Sequence, residues 1–508
     1  MNARSLMRAK RGRILITLVV KGALLLGGLP PSACAFDVFG AAASVPPTPA
    51  GEFADTDAAH SCQFGPLGAP LRLAEAVNRA LCENPKTREV WANVKIQAAA
   101  VGVAKSAYLP TLSASLQDGR DDATTAVKGY SRLSSVTRST LYSGSASANW
   151  ILYDFGGRKA ALANAQALLA AAHATHDTTL QTVFATVATD YYAAQAAAAK
   201  LDLAKETESI AYDSFTAAST RMARGVAPIS DQLQAETAWA QSTFSRVKAE
   251  GELQIALGTL AADMSLRADQ PVAMPDAEDG VVPDHAFADT VTAMIEDAQR
   301  THPAIAAARA KLDAAIASEQ QTRAEGLPVF SLTGRYSQNN QPASLGLGKP
   351  RLPSTGRDWY LGVQVQIPLF EGFGRSYRIG GAHAQAELQK DMLDEARQQV
   401  ALDVWKSYQL LQTDTENTNN AAALLQVTQR SFDVARHRYA AGVGNILELL
   451  SAQKALSEAR QQRVQALTGW RAARLQLAAK LGRLTAGTLS TDSVLKPVDN
   501  HPTTAPTP

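Results

Sequence analysis

Few residues in this 508-residue chain are spaced for catalysis. His173 and His176 stand three apart in a helical run, which puts both imidazoles on one helix face, where they could share a metal. The plainer reading is a pair of exposed side chains. Gly372-Phe373-Gly374 looks like the start of a phosphate loop, but the same pattern recurs at 154–158 and marks a strand-to-helix turn. The HExxH, P-loop and GxSxG signatures are missing. The chain is therefore expected to be no enzyme and to need no cofactor. Three cysteines remain to be placed: Cys34, Cys62 and Cys82.

The N-terminus bears on those cysteines. Arg4, Arg8, Lys10, Arg11, Arg13 and Lys21 precede or interrupt an apolar run from Ile14 to Leu29, followed by Pro30, Pro31 and Ala33-Cys34-Ala35. That is the layout of a cleaved export signal, residues 1–35, with Phe36 left first. Lipid attachment at Cys34 is the rival, although Pro31 sits where an aliphatic residue is wanted. Export permits a Cys62–Cys82 disulfide that ties down the N-terminal arm; two unpaired thiols are the alternative. Losing residues 1–35 moves the net charge from +2 to −4, so nucleic acid is not an expected partner. Mean hydropathy is −0.12, and no later run of about 18 apolar residues exists to form a membrane helix.

The elements that position everything else come from a duplication. Ala80–Pro85 answers Ala298–Pro303, and Leu109-Pro110 answers Leu327-Pro328. Tyr153-Asp154-Phe155-Gly156-Gly157-Arg158 answers Phe370-Glu371-Gly372-Phe373-Gly374-Arg375, and Arg221–Val226 answers Arg438–Val443. The offset stays near 217 throughout. Five segments follow: 1–35 signal; 36–70 irregular arm; 71–288 first repeat; 289–482 second repeat; 483–508 disordered tail.

Each repeat begins with a helix, about 71–106 and 289–325, that stops before Leu-Pro. Two short strands come next. In Val329–Ser337 and Trp359–Ile367 the residues alternate, Trp359, Leu361, Val363, Val365 and Ile367 on one side and Tyr360, Gly362, Gln364 and Gln366 on the other. In the first repeat the strands centre on Leu112–Gln117 and Gly144–Tyr153. Long proline-free helices, about 158–222 and 376–440, would each run roughly 100 Å. Shorter return helices cover about 229–265 and 446–482. The stripes Leu425, Thr428, Phe432, Ala435, Tyr439 and Leu467, Trp470, Arg474, Leu477, Leu481 have coiled-coil spacing.

Such helices cannot fold into a compact globule. Two-faced strands suit a membrane barrel, but four strands cannot close one, and open edges are not tolerated in lipid. If the strands cross a membrane, copies must combine: two give eight strands and three give twelve. The competing architecture is a soluble sheet capping a periplasmic coiled-coil adaptor or scaffold.

The duplication, the Leu-Pro strand entries, the two strand-to-helix turns and the Arg-x-x-x-Gly-Val tips together resemble the TolC family of outer-membrane efflux and secretion channels, over nearly all of residues 70–482. The resemblance implies a mainly α chain with a small β part, four transmembrane strands per chain closing as a 12-stranded barrel in a homotrimer, and a long α-helical coiled-coil barrel in the periplasm. It implies outer-membrane lipid, a periplasmic adaptor and an inner-membrane pump as partners, in type I protein secretion or small-molecule efflux. Residue by residue, Glu448 matches an acidic position at the pore constriction, while Ser451 stands where some members carry a second acid. Asp231 and Tyr439 match the two ends of a tether that closes the tips; a basic tether position falls on Gly444. Gly225, Val226, Gly442 and Val443 would present the tips to the adaptor.

If the signal reading holds, N-terminal sequencing of the exported protein starts at Phe36; a lipid-labelled chain starting at Cys34 would establish the rival.

Overall fold

The computed structural model describes residues 37–53, 62–277, 290–341, 343, 346, 352 and 354–484. The expected signal segment and all of the expected tail beyond Leu484 lie outside them.

Among the described residues the chain forms eight α-helices and four strands, in an order that occurs twice. The first half is α1 (Leu73–Glu83), α2 (Pro85–Ser106), β1 (Thr111–Thr125), β2 (Ser135–Tyr153), α3 (Gly157–Ala223) and α4 (Ile229–Asp263). The second is α5 (Val291–Thr301), α6 (Pro303–Ala324), β3 (Val329–Asn339), β4 (Gly356–Gln366), α7 (Gly374–Ala440) and α8 (Ile446–Lys480). Helix lengths match in pairs: 11 residues in α1 and α5, 22 in α2 and α6, 67 in α3 and α7, 35 in α4 and α8.

The single opening helix expected for each half is two helices. Pro85 and Pro303 push the preceding residues into extended backbone, Asn84 at φ −59°, ψ 131° and His302 at φ −65°, ψ 129°. Both residues then cap the second helix: Asn84 Oδ1 accepts from the Lys86 amide at 3.0 Å, and His302 Nδ1 from the Ala304 amide at 3.1 Å. Proline itself occupies the first turn, where its missing N–H costs nothing.

The long helices hold together by burying narrow, alanine-rich stripes. Ala160, Ala165, Ala171, Ala172, Ala188 and Ala194 of α3 are all buried. Such small side chains let neighbouring helices approach closely. The stripe on α8 is buried from Leu467 to Leu481, with Trp470 Nε1 donating to Thr415 Oγ1 at 3.1 Å. Each fully buried leucine there contributes roughly 1.5–3 kcal/mol. The halves meet because α3 packs on α6 and α8 as well as on α1, α2 and α4 of its own half, whereas α7 packs on α5, α6 and α8.

The strands form one antiparallel sheet in the order β1-β2-β3-β4. The first hairpin is longer than its sequence core suggests, because its ladder runs unbroken from Thr111↔Asn149 to Thr125↔Ser135. Its outer part carries Asp118, Arg120, Asp121, Asp122 and Arg138, with an Asp122–Arg138 ion pair at 2.9 Å. Pairing with β3 ends at Ser143↔Asn339, so the charged part projects beyond the four-stranded region.

The arm lies along the helices: Trp91 Nε1 donates to the Pro46 carbonyl at 2.9 Å and Lys105 Nζ to the Phe39 carbonyl at 3.1 Å. Cys62 and Cys82 are joined by a disulfide, with Cα atoms 5.5 Å apart, fastening the arm to α1. His176 departs from expectation. It is 1% exposed, and its Nε2 lies 2.8 Å from the Pro49 carbonyl, because the arm covers that face of α3. Among the described residues no cluster of His, Cys, Asp and Glu could hold a metal.

Where α3 passes the end of α4, Asp263 meets Asp190. Desolvation, then hydrogen bonding and repulsion from Asp190, raise the Asp263 carboxyl to about 7, with Lys86 opposing. Asp263 Oδ2 has no other hydrogen-bond partner, and a proton shared with Asp190 would satisfy it. A carboxyl raised on folding stabilises the fold while it is protonated and loses that contribution as pH rises toward 7. Thermal unfolding of the wild type is therefore expected to fall between about pH 4 and 7, and Asp263→Asn to flatten that fall and unfold at higher temperature at pH 8. An unchanged profile would exclude the shared proton.

Candidate functional site

Two regions of this fold hold the candidate functional residues: the sheet and the tips of the helical hairpins. The sheet is read first through its register. Partnered residues share a face, so Leu112↔Ala148, Ala148↔Gly334 and Gly334↔Leu361 lie together, as do Trp150↔Leu332 and Leu332↔Val363. On this face Leu112 is 81% exposed, Trp359 76% and Leu361 67%, with Leu116, Val363 and Val365 also open. The opposite face carries Ser113↔Ser147↔Arg335 and Ser115↔Ser145↔Ser337. Its hydroxyls pair across the strands, Ser113–Ser147 at 2.7 Å and Ser115–Ser145 at 2.8 Å. Ser337 also donates to the Asp358 carboxylate. The sheet thus has one apolar exposed face, one polar face, and edges at β1 and β4 with no strand partner among the described residues.

Where strands enter the long helices, two successive residues are left-handed in each half: Phe155 (φ 51°) and Gly156 (φ 96°), then Gly372 (φ 60°) and Phe373 (φ 63°). One of each pair is a phenylalanine, at a cost of roughly 1–2 kcal/mol. Asp154 stabilises the first turn by accepting from the Arg158 amide at 2.7 Å. Arg158 in turn donates to the Ile151 and Leu152 carbonyls at 2.7 and 3.2 Å. In the second turn Glu371 holds Arg375 at 3.0 Å and also Arg378. The aromatic residues gather at this level: Tyr153 on Phe155 at 4.7 Å, Phe155 near Phe330 at 6.4 Å, and Phe370 on Phe373 at 5.4 Å between ring centres.

At the far end, both tips turn by the same device. After α3, the Gly225 amide bonds the Met222 carbonyl at 2.8 Å and the Val226 amide the Arg221 carbonyl at 3.0 Å. After α7, Gly442 bonds Tyr439 and Val443 bonds Arg438, both at 3.1 Å. These are Schellman closures, which need a left-handed residue at Gly225 (φ 71°) and Gly442 (φ 79°). Val226 and Val443 are left 72% and 70% exposed.

The expected site residues meet different fates. Glu448 sits in the first turn of α8, its amide bonded to Asn445 Oδ1 at 2.7 Å. Its carboxylate lies 3.2 Å from Arg438 Nε. Asp231 occupies the equivalent place in α4, half-buried, its amide 3.2 Å from the Pro228 carbonyl. Within one chain the structure does not join Asp231 to Tyr439. The tyrosine is buried among Phe432, Ile446 and Leu449, and its hydroxyl has no hydrogen-bond partner. Its ring is instead covered by the Arg221 guanidinium, 4.5 Å from the ring centre. Arg221 also donates to the Tyr439 and Ala440 carbonyls at 2.8 and 3.3 Å, capping α7 from the other half. Sequence reasoning missed Arg221 and Arg438 as functional groups. Their signal was present, since both open the repeated Arg-x-x-x-Gly-Val pattern.

Comparison with known proteins places this geometry. The profile described as "Outer membrane efflux protein" matches residues 76–264 and 294–483, one segment for each half. Protein CyaE of Bordetella pertussis is 32% identical over 423 residues, 83% of this chain and 86% of the relative. The pyoverdine export outer membrane protein OpmQ of Pseudomonas aeruginosa is 26% identical over 84% of this chain and 87% of its own length. Among solved structures, the Campylobacter jejuni CmeC outer membrane channel superposes with a TM-score of 0.69 at 16% identity, over 83% of this chain and 87% of that one. The chain belongs to the outer membrane efflux protein family, as the exit channel of a tripartite export system, seated in the outer membrane with its helices in the periplasm.

Proposed function

We propose that three copies close their sheets into one twelve-stranded barrel and their helices into one continuous tube, so that cargo crosses the periplasm and the outer membrane without release. The supporting observation is the sheet itself, apolar and exposed on one face, polar on the other, with both edges open. Lipid would cover the first face and water the second. Strands of 11 residues, tilted as barrel strands are, span the required apolar layer of about 25 Å. The aromatic residues at the strand-to-helix level suit the headgroup boundary, where rings with a polar neighbour settle. That role would account for phenylalanine at two left-handed positions, Phe155 and Phe373.

The tube is proposed to act as a passive, non-enzymatic conduit. Its exposed tips, Val226 and Val443 with their glycine turns, would meet a periplasmic adaptor, which connects the channel to an inner-membrane pump. Three Glu448 carboxylates brought together at the tips would repel one another and favour cations. No nucleic acid or cofactor enters this scheme.

The test is the native mass of the detergent-extracted outer-membrane protein, corrected for bound detergent. Three chains per particle, obtained only with detergent, is the expected result. A soluble monomer or dimer would overturn the reading in favour of a periplasmic scaffold. In planar bilayers Glu448→Gln is expected to lower the preference for cations over anions while leaving the mass unchanged. Unaltered selectivity would remove Glu448 from the constriction.

A further inference from the structure

A cavity of about 550 Å³ lies between α3 and α7, over the junction where α6 begins and α8 ends. That size suits a small organic molecule. Elsewhere on α3 at this level the helix is covered, by the arm at His176 and by Leu71, whose carbonyl accepts from the Tyr191 hydroxyl at 2.9 Å.

The α3 wall is a row of threonines, Thr178, Thr182, Thr186 and Thr189. Each hydroxyl hydrogen is already committed to its own helix. Thr178 donates to the Ala174 carbonyl, Thr182 to Thr178, Thr186 to Thr182 and Thr189 to Ala185, at 2.8–2.9 Å. A hydroxyl has one hydrogen and two lone pairs, so the row offers the cavity acceptors alone. Gln181 adds another. It lies on the same wall, is 6% exposed, and its Oε1 has no hydrogen-bond partner. A buried acceptor in that state is costly until a donor meets it. Asp190 closes the row with a carboxyl group.

On the facing wall the charges are set against each other. Gln399 and Asp403 of α7 stand 217 residues after Thr182 and Thr186 and line the same cavity. Gln399 Nε2 donates to Asp403 Oδ1 at 2.8 Å, and Lys480 Nζ to Asp403 Oδ2 at 2.7 Å. His302 Nδ1 accepts from the Ala304 amide, and burial, then Lys480, hold the imidazole below its usual pKa, so it adds no positive charge at neutral pH. With Lys480 matched by Asp403, Asp190 leaves the lining acidic. Ala185, Ala396, Val400 and Ala479 place methyl groups among the polar ones.

We propose that this cavity binds a linear aliphatic amine in its ammonium form, with two or more nitrogens separated by three or four methylenes. Threonines four residues apart are about 6 Å apart along a helix, and a four-methylene spacer between nitrogens spans about 6 Å. The ammonium groups donate to the oxygens of the row, with one end at Asp190, and the methylenes lie on the alanine and valine methyls. The cavity is built within one chain, so the site stands apart from the trimeric assembly proposed above.

The test is equilibrium dialysis of radiolabelled spermidine against the full chain, extracted from outer membranes in mild detergent. Saturable binding of one spermidine per chain is expected, with little displacement by magnesium chloride at equal ionic strength. Thr182→Val combined with Thr186→Val removes two acceptors and keeps the side-chain shape; it is expected to weaken binding roughly tenfold. Gln181→Leu, which removes the buried acceptor, is expected to weaken it as well. No saturable binding, equal displacement by magnesium, or binding unchanged in both variants would overturn the site. The native mass of the same preparation separates this outcome from the channel reading. Three chains without spermidine binding would remove the site and leave the channel, whereas one chain with binding intact would overturn the trimer and leave the site.

Discussion

A backbone amide has nothing to bond to in a hydrocarbon layer. A strand placed there must find its partners in other strands, and the outermost strand of an open sheet cannot. This chain puts an exposed apolar face on a sheet whose edges, β1 and β4, are both open. The unsatisfied edges constrain the protein more than any single side chain does. In the proposed assembly other copies satisfy them, and the duplicated helices below would set those copies around an axis. The proposed tube follows from this constraint together with helices of 67 residues, which within one chain still leave apolar residues such as Val427 and Val434 of α7 exposed.

The duplication makes the construction economical. Each half contributes one hairpin, one long helix, one return helix and one broken helix pair, and matched lengths keep the two halves in step. Because the halves are equivalent in sequence but not in surroundings, comparing them separates what a residue type prefers locally from what its neighbours decide. Ile446 and Ile229 are the same residue in the same turn of equivalent helices, one buried and the other exposed. Arg221 and Arg438 open the same closure, one bonded across to the other half and the other to an acid of its own. The tips therefore hold both arrangements of one device within a single chain.

The remaining strength of the fold is conventional. Alanine stripes bring helices close, a disulfide fastens the arm, and threonine hydroxyls along α3 bond to carbonyls of their own helix, as Thr178 does to Ala174 at 2.8 Å. The ionisable groups are mostly paired at the surface. The Asp190–Asp263 contact differs from these, since it makes the packing of α3 on α4 sensitive to pH.

Much of this was legible in the residues alone. The constant offset gave the duplication, proline-free runs ending at glycine gave the long helices and their tips, and period-two alternation gave the two-faced strands; each is a local pattern, set by backbone sterics or by which side chains can share a face. Two further local signals lie in the residues. Pro85 and Pro303 were visible breaks in the opening helices, and the outer part of the first hairpin is paired despite a polar composition that resembles a loop. The burial of His176 could not be read from its helix, because the arm that covers it is more than 120 residues away in sequence. The fates of Asp231, Tyr439 and Glu448 were likewise undecided, since each depends on whether an arginine from the same or the opposite half reaches it. Sequence determined which elements form and where they end; only the tertiary structure decided which of two equivalent residues is covered, because that depends on a neighbour one half possesses and the other lacks.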